Sequence, residues 1–185
     1  MEATNILMDE HRVIERVLTS LQAAAQQLDK GRPIRIGFFL DAADFIKGFA
    51  DGCHHLKEEG VLFPAMEAAG VPREGGPIGA MLADHEEGRR LTRGMRAEAE
   101  KVAAGETTAR DQVVENALGY VALLRAHIWK EDNILFPMAD RVILAAGQAR
   151  LAADFERVEH EETGAGVHEK YLALAEALER ESAEG

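Results

Sequence analysis

The chain has few of the residues that stabilise small secreted or β-rich proteins. Its 185 residues include a single cysteine, Cys53, and aromatic side chains make up only 5%. One cysteine excludes an intramolecular disulfide and is typical of a protein from a reducing compartment. Long runs of β-branched residues are also missing, whereas Ala, Leu and Glu are abundant. The composition therefore predicts an all-α fold.

Positive charge and long apolar runs are scarce as well. Lys and Arg number 21 against 33 Asp and Glu, which gives a formal net charge of −12. This charge argues against a nucleic-acid or anionic-membrane partner. No apolar run approaches the roughly 20 residues of a membrane helix, and the first residues do not resemble a signal peptide. We therefore expect a cytoplasmic protein with no nucleic acid and no membrane as partner.

Breaks rich in glycine and proline divide the chain into helical segments. Apolar residues recur at three- and four-residue spacing within four long segments, which cover about residues 4–30, 34–69, 78–103 and 108–146. Gly147 is expected to separate a fifth helical region from them. We predict an up-down four-helix bundle over residues 1–147, made of two helical hairpin repeats, and a C-terminal helical extension over residues 148–185 that packs on it.

One motif occurs twice and carries the chemistry. Residues 54–64 and 127–137 both read His-x-x-Lys-Glu-x-x-x-Leu-Phe-Pro. Because the His and the Glu stand four residues apart, a helix places them on the same face. Imidazole combined with carboxylate is a ligand set that suits iron, manganese or zinc. Two such helices facing each other therefore predict a metal site.

A second repeat adds two more histidines. Residues 7–11 resemble residues 81–85, and both stretches end in an acid followed by a histidine. The chain therefore reads as two copies of one helical hairpin with a site between the four helices. Two ions bridged by the two glutamates use this set better than one ion, with open positions for water, an oxo bridge, dioxygen, nitric oxide or peroxide. The predicted ligands are His11, His54, Glu58, His85, His127 and Glu131.

The first copy of the motif has a choice of register. His55 and Glu59 are also four residues apart, but only His54 and Glu58 keep Lys57 aligned with its counterpart in the second copy. His55 and Glu59 would then lie about 100° around the helix, where they either contact the ligands or face solvent. On this interpretation His55→Ala leaves the metal site largely intact.

Several further residues allow two interpretations each. Four apolar side chains near the motifs either line a dry pocket or belong to the ordinary core, namely Phe63, Leu124, Trp129 and Phe136. The C-terminal segment either covers one side of the bundle or bends so that one polar side chain approaches the metals. The candidates for that approach are His160, His168 and Tyr171.

As a set, these motifs resemble the hemerythrin-like (HHE cation-binding) family over about residues 4–140. The resemblance implies a non-haem di-iron centre, two iron ions with an oxo or hydroxo bridge, inside a four-helix bundle. Oxygen-carrying hemerythrins have a second histidine one turn after the one on the third helix, where this chain has Arg89. They also use an Asp five residues after the fourth-helix histidine, whereas here Glu131 stands at four. Both departures make the chain more similar to di-iron proteins of iron–sulfur cluster repair and to hemerythrin-like iron sensors.

The first functional hypothesis is a di-iron protein that binds, senses or reduces dioxygen, nitric oxide or peroxide. The same ligands serve a binding protein and a di-iron oxidoreductase, because reduction potential and nearby proton donors distinguish the two. Catalytic residues therefore stay unassigned. The alternatives are iron storage or delivery, iron–sulfur cluster repair, and a structural zinc site. A homodimer also stays open.

Overall fold

A computed structural model describes residues 3–164 and 166–183. Throughout these residues the regular structure is helical and no strand occurs, which confirms the all-α prediction. None of the helices in this part of the chain combines the length and apolar character that a membrane span requires.

Four long helical segments correspond to the four predicted helices. The first is α1, Thr4–Asp29. The second begins as α2, Gly37–Phe45, and continues through π-helical turns at Ile46–His55 and Glu58–Leu62 into α3, Phe63–Ala68. The third is α4, Pro77–Ala103. After a 3-10 turn at Thr107–Ala109, the fourth consists of α5, Arg110–Lys130, a π-helical turn at Glu131–Leu135 and α6, Phe136–Val142.

The C-terminal region adds two more helices. These are α7, Ala145–Arg157, and α8, Val167–Ala183, with a π-helical turn at Val158–Thr163 between them. Helix α8 packs against α1 and α2. The division of the chain into two regions at residue 147 stays a prediction, and residues 1–2, 165 and 184–185 of those regions lie outside the described residues.

The second and fourth segments change their winding directly before a proline. Pro64 and Pro137 stand in the first turn of α3 and α6, immediately after the π-helical turns. Proline cannot donate to the preceding turn of an α-helix, and the wider i→i+5 turn lets the chain pass it without ending. At Pro64 the second segment therefore changes its winding and continues to Ala68.

The predicted end of the fourth helix at residue 146 is wrong. The helix ends at Val142, and Ile143 and Leu144 have extended backbone angles. Burial of Ile143 in the core explains the break, since its side chain is only 7% exposed. Gly147 lies inside α7 and is no separator. A Cβ there would stand 2.7 Å from Ile143 Cγ2, so glycine allows the close approach.

Two apolar clusters make up the core. One contains Leu18 and Phe45 and involves α1, α2, α4, α5 and α8, and the other contains Leu7 and Phe63 and involves the ends near α3, α6 and α7. The predicted ligands stand between the two clusters on every long segment. The order in which the chain meets the clusters reverses from each segment to the next, as up-down packing requires. A polar layer thus lies between two apolar layers.

Tyr171 anchors α8 in this core. Its ring meets the Phe45 ring edge-on with centroids 6.2 Å apart, and it is 8% exposed. The Tyr171 ring lies directly against Gly48. A Cβ added at Gly48 would overlap the hydroxyl and the ring of Tyr171. The missing side chain at position 48 therefore makes room for α8.

We expect Gly48→Ala to destabilise the protein by about 1–3 kcal/mol, because the new methyl group must displace the Tyr171 ring. In a Tyr171→Ala background the same change should cost much less, since the space is then free. Urea unfolding of the four proteins of this double-mutant cycle measures the difference. An equal loss in both backgrounds would show that position 48 is constrained by something other than α8.

Candidate metal centre

All six predicted ligands come together inside the bundle. His11 lies on α1 and His85 on α4, and His127 lies near the end of α5. Glu58 and Glu131 each occupy the first residue of a π-helical turn. None of the six, His54 included, is more than 1% exposed. The ligands predicted from the two repeats thus form a buried cluster of imidazoles and carboxylates.

The cluster divides into two groups that share Glu58. Within each group the potential ligand atoms all lie within 4.8 Å of one another. The first group consists of His11, His54, Glu58 and Glu131, and the second of His55, Glu58, His85 and His127.

Both glutamates lie between the groups. Glu58 Oε1 is 3.5 Å from His54 Nε2, and its Oε2 is 3.4 Å from His85 Nε2. Glu131 Oε2 is 3.2 Å from His11 Nε2 and 3.1 Å from His127 Nε2. Each carboxylate therefore contacts one histidine of each group, as a bridging ligand would.

His55 belongs to the site together with His54. Its ring stacks on His85 with centroids 3.8 Å apart, and it is 4% exposed. The alignment of the motifs favoured His54 and placed His55 about a quarter-turn away on an α-helix. The π-helical turn Ile46–His55 explains the difference, because its wider winding lets two consecutive side chains face the same centre. Glu59, in contrast, stays outside both groups.

Every histidine of the two groups is held at Nδ1 by a carboxylate. Such contacts fix the ring orientation and direct Nε2 towards a metal. The closest pairs are His11 with Asp132 at 2.7 Å, His85 with Glu59 at 2.7 Å and His54 with Glu10 at 2.9 Å. His127 with Asp84 at 3.3 Å and His55 with Asp51 at 3.4 Å are longer.

These supporting carboxylates follow the internal repeat. Glu10 and Asp84 directly precede the histidines of α1 and α4, and each orients a histidine of another segment. Glu59 and Asp132 directly follow the two central glutamates and do the same. The repeat contained this signal, although no role was predicted for Glu10, Asp51, Asp84 or Asp132. Asp132 stands five residues after His127, yet its carboxylate contacts His11 and Arg12.

Arg89 supports two of these carboxylates. Its guanidinium donates to Asp51 Oδ1 at 2.7 Å and to Glu59 Oε1 at 2.7 Å. Burial alone would raise the pKa of Glu59, but contacts with His85 and Arg89 outweigh it and lower the pKa below its ordinary value. The residue that replaces a ligand histidine of oxygen carriers therefore fixes the carboxylates that hold His55 and His85.

The central atoms lack hydrogen-bond partners within the described residues. Both oxygens of Glu58, both oxygens of Glu131 and Nε2 of His11 are buried and form no hydrogen bond with the described residues, although most of them lie 3.1 to 3.5 Å from another atom of the cluster. Buried polar atoms without partners are costly and rare in folded proteins. A cation between the two groups would satisfy all of them, so these residues fit a metal.

The electrostatic environment of this cluster also favours positive charge. Burial lowers the pKa of His11, but the carboxylates of Asp132 and Glu131 outweigh it and raise the pKa to about 9. Burial also opposes charge on His127, yet Glu131 and Asp84 raise its pKa to about 10. His55 differs, since burial and the charge of His85 hold its pKa well below the usual range. The metal-free site thus attracts protons, which a bound metal would displace.

Aromatic side chains close part of the site. The Phe136 ring stacks on His11 with centroids 5.4 Å apart, and the Phe63 ring stacks on His85 at 6.1 Å. Leu124 is buried near His127 in the sequence and belongs to the larger apolar cluster. Trp129 is 60% exposed, so the prediction that it lines a pocket or the core is wrong. It lies on the outer face of α5.

The three C-terminal candidates do not enter either group of the site, as far as the described residues show. His160 is exposed, and Tyr171 packs on Phe45. The His168 ring lies 5.3 Å from that of Phe49, and its Nδ1 is 3.4 Å from Glu159. The C-terminal region reaches the site indirectly instead.

The indirect connection runs through a buried lysine. Glu159 accepts from Lys57 Nζ at 2.9 Å, and Lys57 also pairs with Glu10, which holds His54. Carboxylate, thiol and imidazole atoms of Glu10, Cys53, Glu159 and His168 also lie within 4.8 Å of one another. Lys57 pairs with both Glu10 and Glu159, so its ammonium group already supplies a positive charge to this second cluster.

Comparisons with known proteins agree with the geometry. The family profile of the Hemerythrin HHE cation binding domain matches residues 2–139, which include every ligand candidate of the two groups. Uncharacterised proteins of Mycobacterium bovis and Mycobacterium tuberculosis are 28% identical to the chain over 158 residues. The match covers 85% of this chain and 61% of each relative, so the chain spans about three fifths of their length. No solved structure gives a significant match.

The match covers well over half of the chain, and the buried histidines and glutamates of the structure all fall inside it. Cation binding by imidazole and carboxylate is what this arrangement can do chemically. The chain belongs to the hemerythrin HHE cation-binding domain family.

Proposed function

We propose that the chain binds two iron ions and uses them to bind, sense or reduce a small oxidant, namely dioxygen, nitric oxide or peroxide. The position of the two glutamates supports this proposal most strongly. Glu58 and Glu131 each contact histidines of both groups at 3.1 to 3.5 Å. Carboxylates shared in this way are suited to a pair of ions.

The ligand set fits iron better than magnesium or calcium. His11 and His54 would hold one ion, and the second would take His55, His85 and His127, with both glutamates between them. Five imidazoles with two carboxylates suit iron, whereas an all-oxygen set would suit magnesium or calcium. Iron bound there supplies one-electron chemistry with small oxidants.

The protein's own residues would orient the ligands and exclude water. Five carboxylates fix the histidine rings at Nδ1, and Phe63 and Phe136 stack on two of them. Preformed, buried ligands favour a resident centre over a labile pool. Iron storage or delivery is therefore the weaker proposal. A cytoplasmic location is also part of the proposal and rests on the single cysteine of the sequence.

Aerobic reconstitution with iron should give about two iron ions per chain, one for each group of ligands. The product should absorb in the near ultraviolet and visible, and the spectrum should change after anaerobic reduction and exposure to dioxygen, nitric oxide or peroxide in turn. Elemental analysis and absorption measure both properties. One metal per chain, or a preference for zinc, would contradict the proposal.

We expect His55→Ala to weaken iron binding by at least roughly tenfold, because it removes an imidazole from the second group. This expectation reverses the one drawn from the alignment of the motifs. His160→Ala is a matched control, since His160 is exposed and outside both groups. Competition with a chelator measures the change. Unchanged iron affinity in His55→Ala would show that the first motif supplies only one histidine ligand, His54.

A further inference from the structure

A cavity of about 240 Å³ opens beside His55 and His85. At roughly 30 Å³ per water molecule it corresponds to about eight waters. This is far more room than a diatomic gas or hydrogen peroxide requires. Ala43, Ile46 and Leu124 form an apolar part of its walls, and histidine and charged side chains form much of the rest. The cavity is therefore smaller than most drug-sized sites but has room for a small organic molecule.

The rim of the cavity is cationic in a chain with a net charge of −12. Lys47, Arg89, Arg93 and Arg96 line it, against only two carboxylates, Asp51 and Asp84. Both carboxylates are engaged, Asp51 with Arg89 and His55, and Asp84 with Lys130 and His127. The surplus charge at the rim is therefore positive.

Two of the cations are available to a ligand. Lys47 and Arg93 are exposed, and neither forms an ion pair with a carboxylate in the part of the chain that the structure describes. Arg96 has only a loose contact with Asp44 at 3.8 Å. An anion at the mouth would meet donors that no protein group uses.

The inner wall contains an unused donor. Tyr120 lines the cavity and is 1% exposed, and its buried hydroxyl has no hydrogen-bond partner among the described residues. Burial raises the pKa of this phenol, so the group is a neutral donor. Buried hydroxyl groups normally have a partner. An acceptor oxygen on a bound molecule would provide one.

We propose that this cavity binds a small organic anion with a polar oxygen at its other end. The carboxylate would lie between Lys47 and Arg93, the hydrocarbon along Ile46 and Leu124, and the second oxygen at the Tyr120 hydroxyl. A hydroxy or oxo acid with a hydrocarbon chain between its two polar ends combines these features. The proposal does not require the metal, although such a ligand would lie against two histidines assigned above to iron.

Calorimetric titration of the full chain tests the proposal, first metal-free and then loaded with iron. The probes are octanoate, 8-hydroxyoctanoate and 1-octanol. Both acids should bind more tightly than the alcohol, because only they have an anion for the rim. The hydroxy acid should exceed octanoate by about tenfold, the effect of one buried hydrogen bond. Binding of the acids to the metal-free protein supports the cavity proposal whether or not the chain binds iron.

Substitutions locate the two ends of the ligand. The double change Lys47→Gln with Arg93→Gln should weaken both acids by tenfold or more and leave 1-octanol unchanged. Tyr120→Phe should remove the advantage of 8-hydroxyoctanoate and leave octanoate unchanged. Arg90→Gln is the matched control, since Arg90 is a neighbouring arginine that pairs with Glu87 and does not line the cavity.

Three results would overturn the proposal. The first is that neither acid binds in either metal state. The second is that the alcohol binds as well as the acids. The third is that Arg90→Gln weakens the acids as much as the rim substitutions do. Unfolding midpoints of all variants show that each protein is folded under the titration conditions.

Discussion

Replacing Glu58 with alanine is expected to remove nearly all of the iron. Among the described residues, Glu58 is the one that belongs to both groups of ligands, and its two oxygens face histidines of different groups. Loss of this carboxylate leaves each group with one anionic ligand fewer and removes one of the two bridges. Elemental analysis after reconstitution measures the loss.

Glu59→Ala is the matched control for this experiment. Glu59 is the next residue on the same segment and is also a carboxylate, but it contacts His85 Nδ1 and Arg89 outside the groups. We expect this variant to retain most of its iron, with affinity lowered by about tenfold to a hundredfold. If Glu59→Ala loses the iron and Glu58→Ala keeps it, the bridging assignment is wrong.

Thermal unfolding provides a second measurement of the effect of Glu58→Ala. A ligand that binds only the folded state raises stability, so iron should raise the Tm of the wild-type protein. In Glu58→Ala the Tm with and without iron should coincide. The metal-free variant should differ little in Tm from metal-free wild type, because relief of a buried carboxylate without hydrogen bonds offsets the loss of its contacts with His54 and His85. A lower Tm in the metal-free variant would indicate that Glu58 also stabilises the fold itself.

The principal ligands could be predicted from the sequence because their spacing follows the helix. His and Glu four residues apart share a face of an α-helix, and the two copies of that spacing predicted that the second and fourth segments face one metal site. His55 could not be placed in this way, since its position depends on a π-helical turn. A change from i→i+4 to i→i+5 bonding leaves no trace in a 3.6-residue pattern. The prolines that end both motifs were the available signal, because a backbone donor is lost there.

Residues that depend on tertiary contacts were the hardest to predict. Trp129 stands within a motif and next to a buried residue, yet it faces solvent. The extended break at Ile143 follows from burial of one side chain in the second apolar cluster, and local sequence does not reveal it. Glu10 and Asp84 were predictable in principle, since both precede a ligand histidine in the repeat. Their contacts cross from one segment to another, which the repeat alone does not show.

The two halves of the repeat differ most at their lysines. Lys57 and Lys130 occupy the same position in the motif, and each pairs with the acid that precedes a ligand histidine. Lys57 is fully buried and pairs with Glu159 of the C-terminal region as well. The side chain of Lys130 is 36% exposed. The C-terminal region therefore covers one half of the pseudo-twofold site and leaves the other half open.

Lys57→Met should destabilise the metal-free protein by about 3–5 kcal/mol, because it leaves Glu10 buried without its cation. Burial opposes charge on Lys57, yet Glu10 and its neighbours still raise its pKa, so the lysine is charged when the pair forms. Lys130→Met is the control that the repeat offers. It should cost less than about 1 kcal/mol, since water reaches that ion pair and screens it. Urea unfolding at pH 7 measures both free energies. Equal losses would mean that burial by the C-terminal region does not distinguish the two halves, and the connection from Glu159 through Lys57 to His54 would then lose its support.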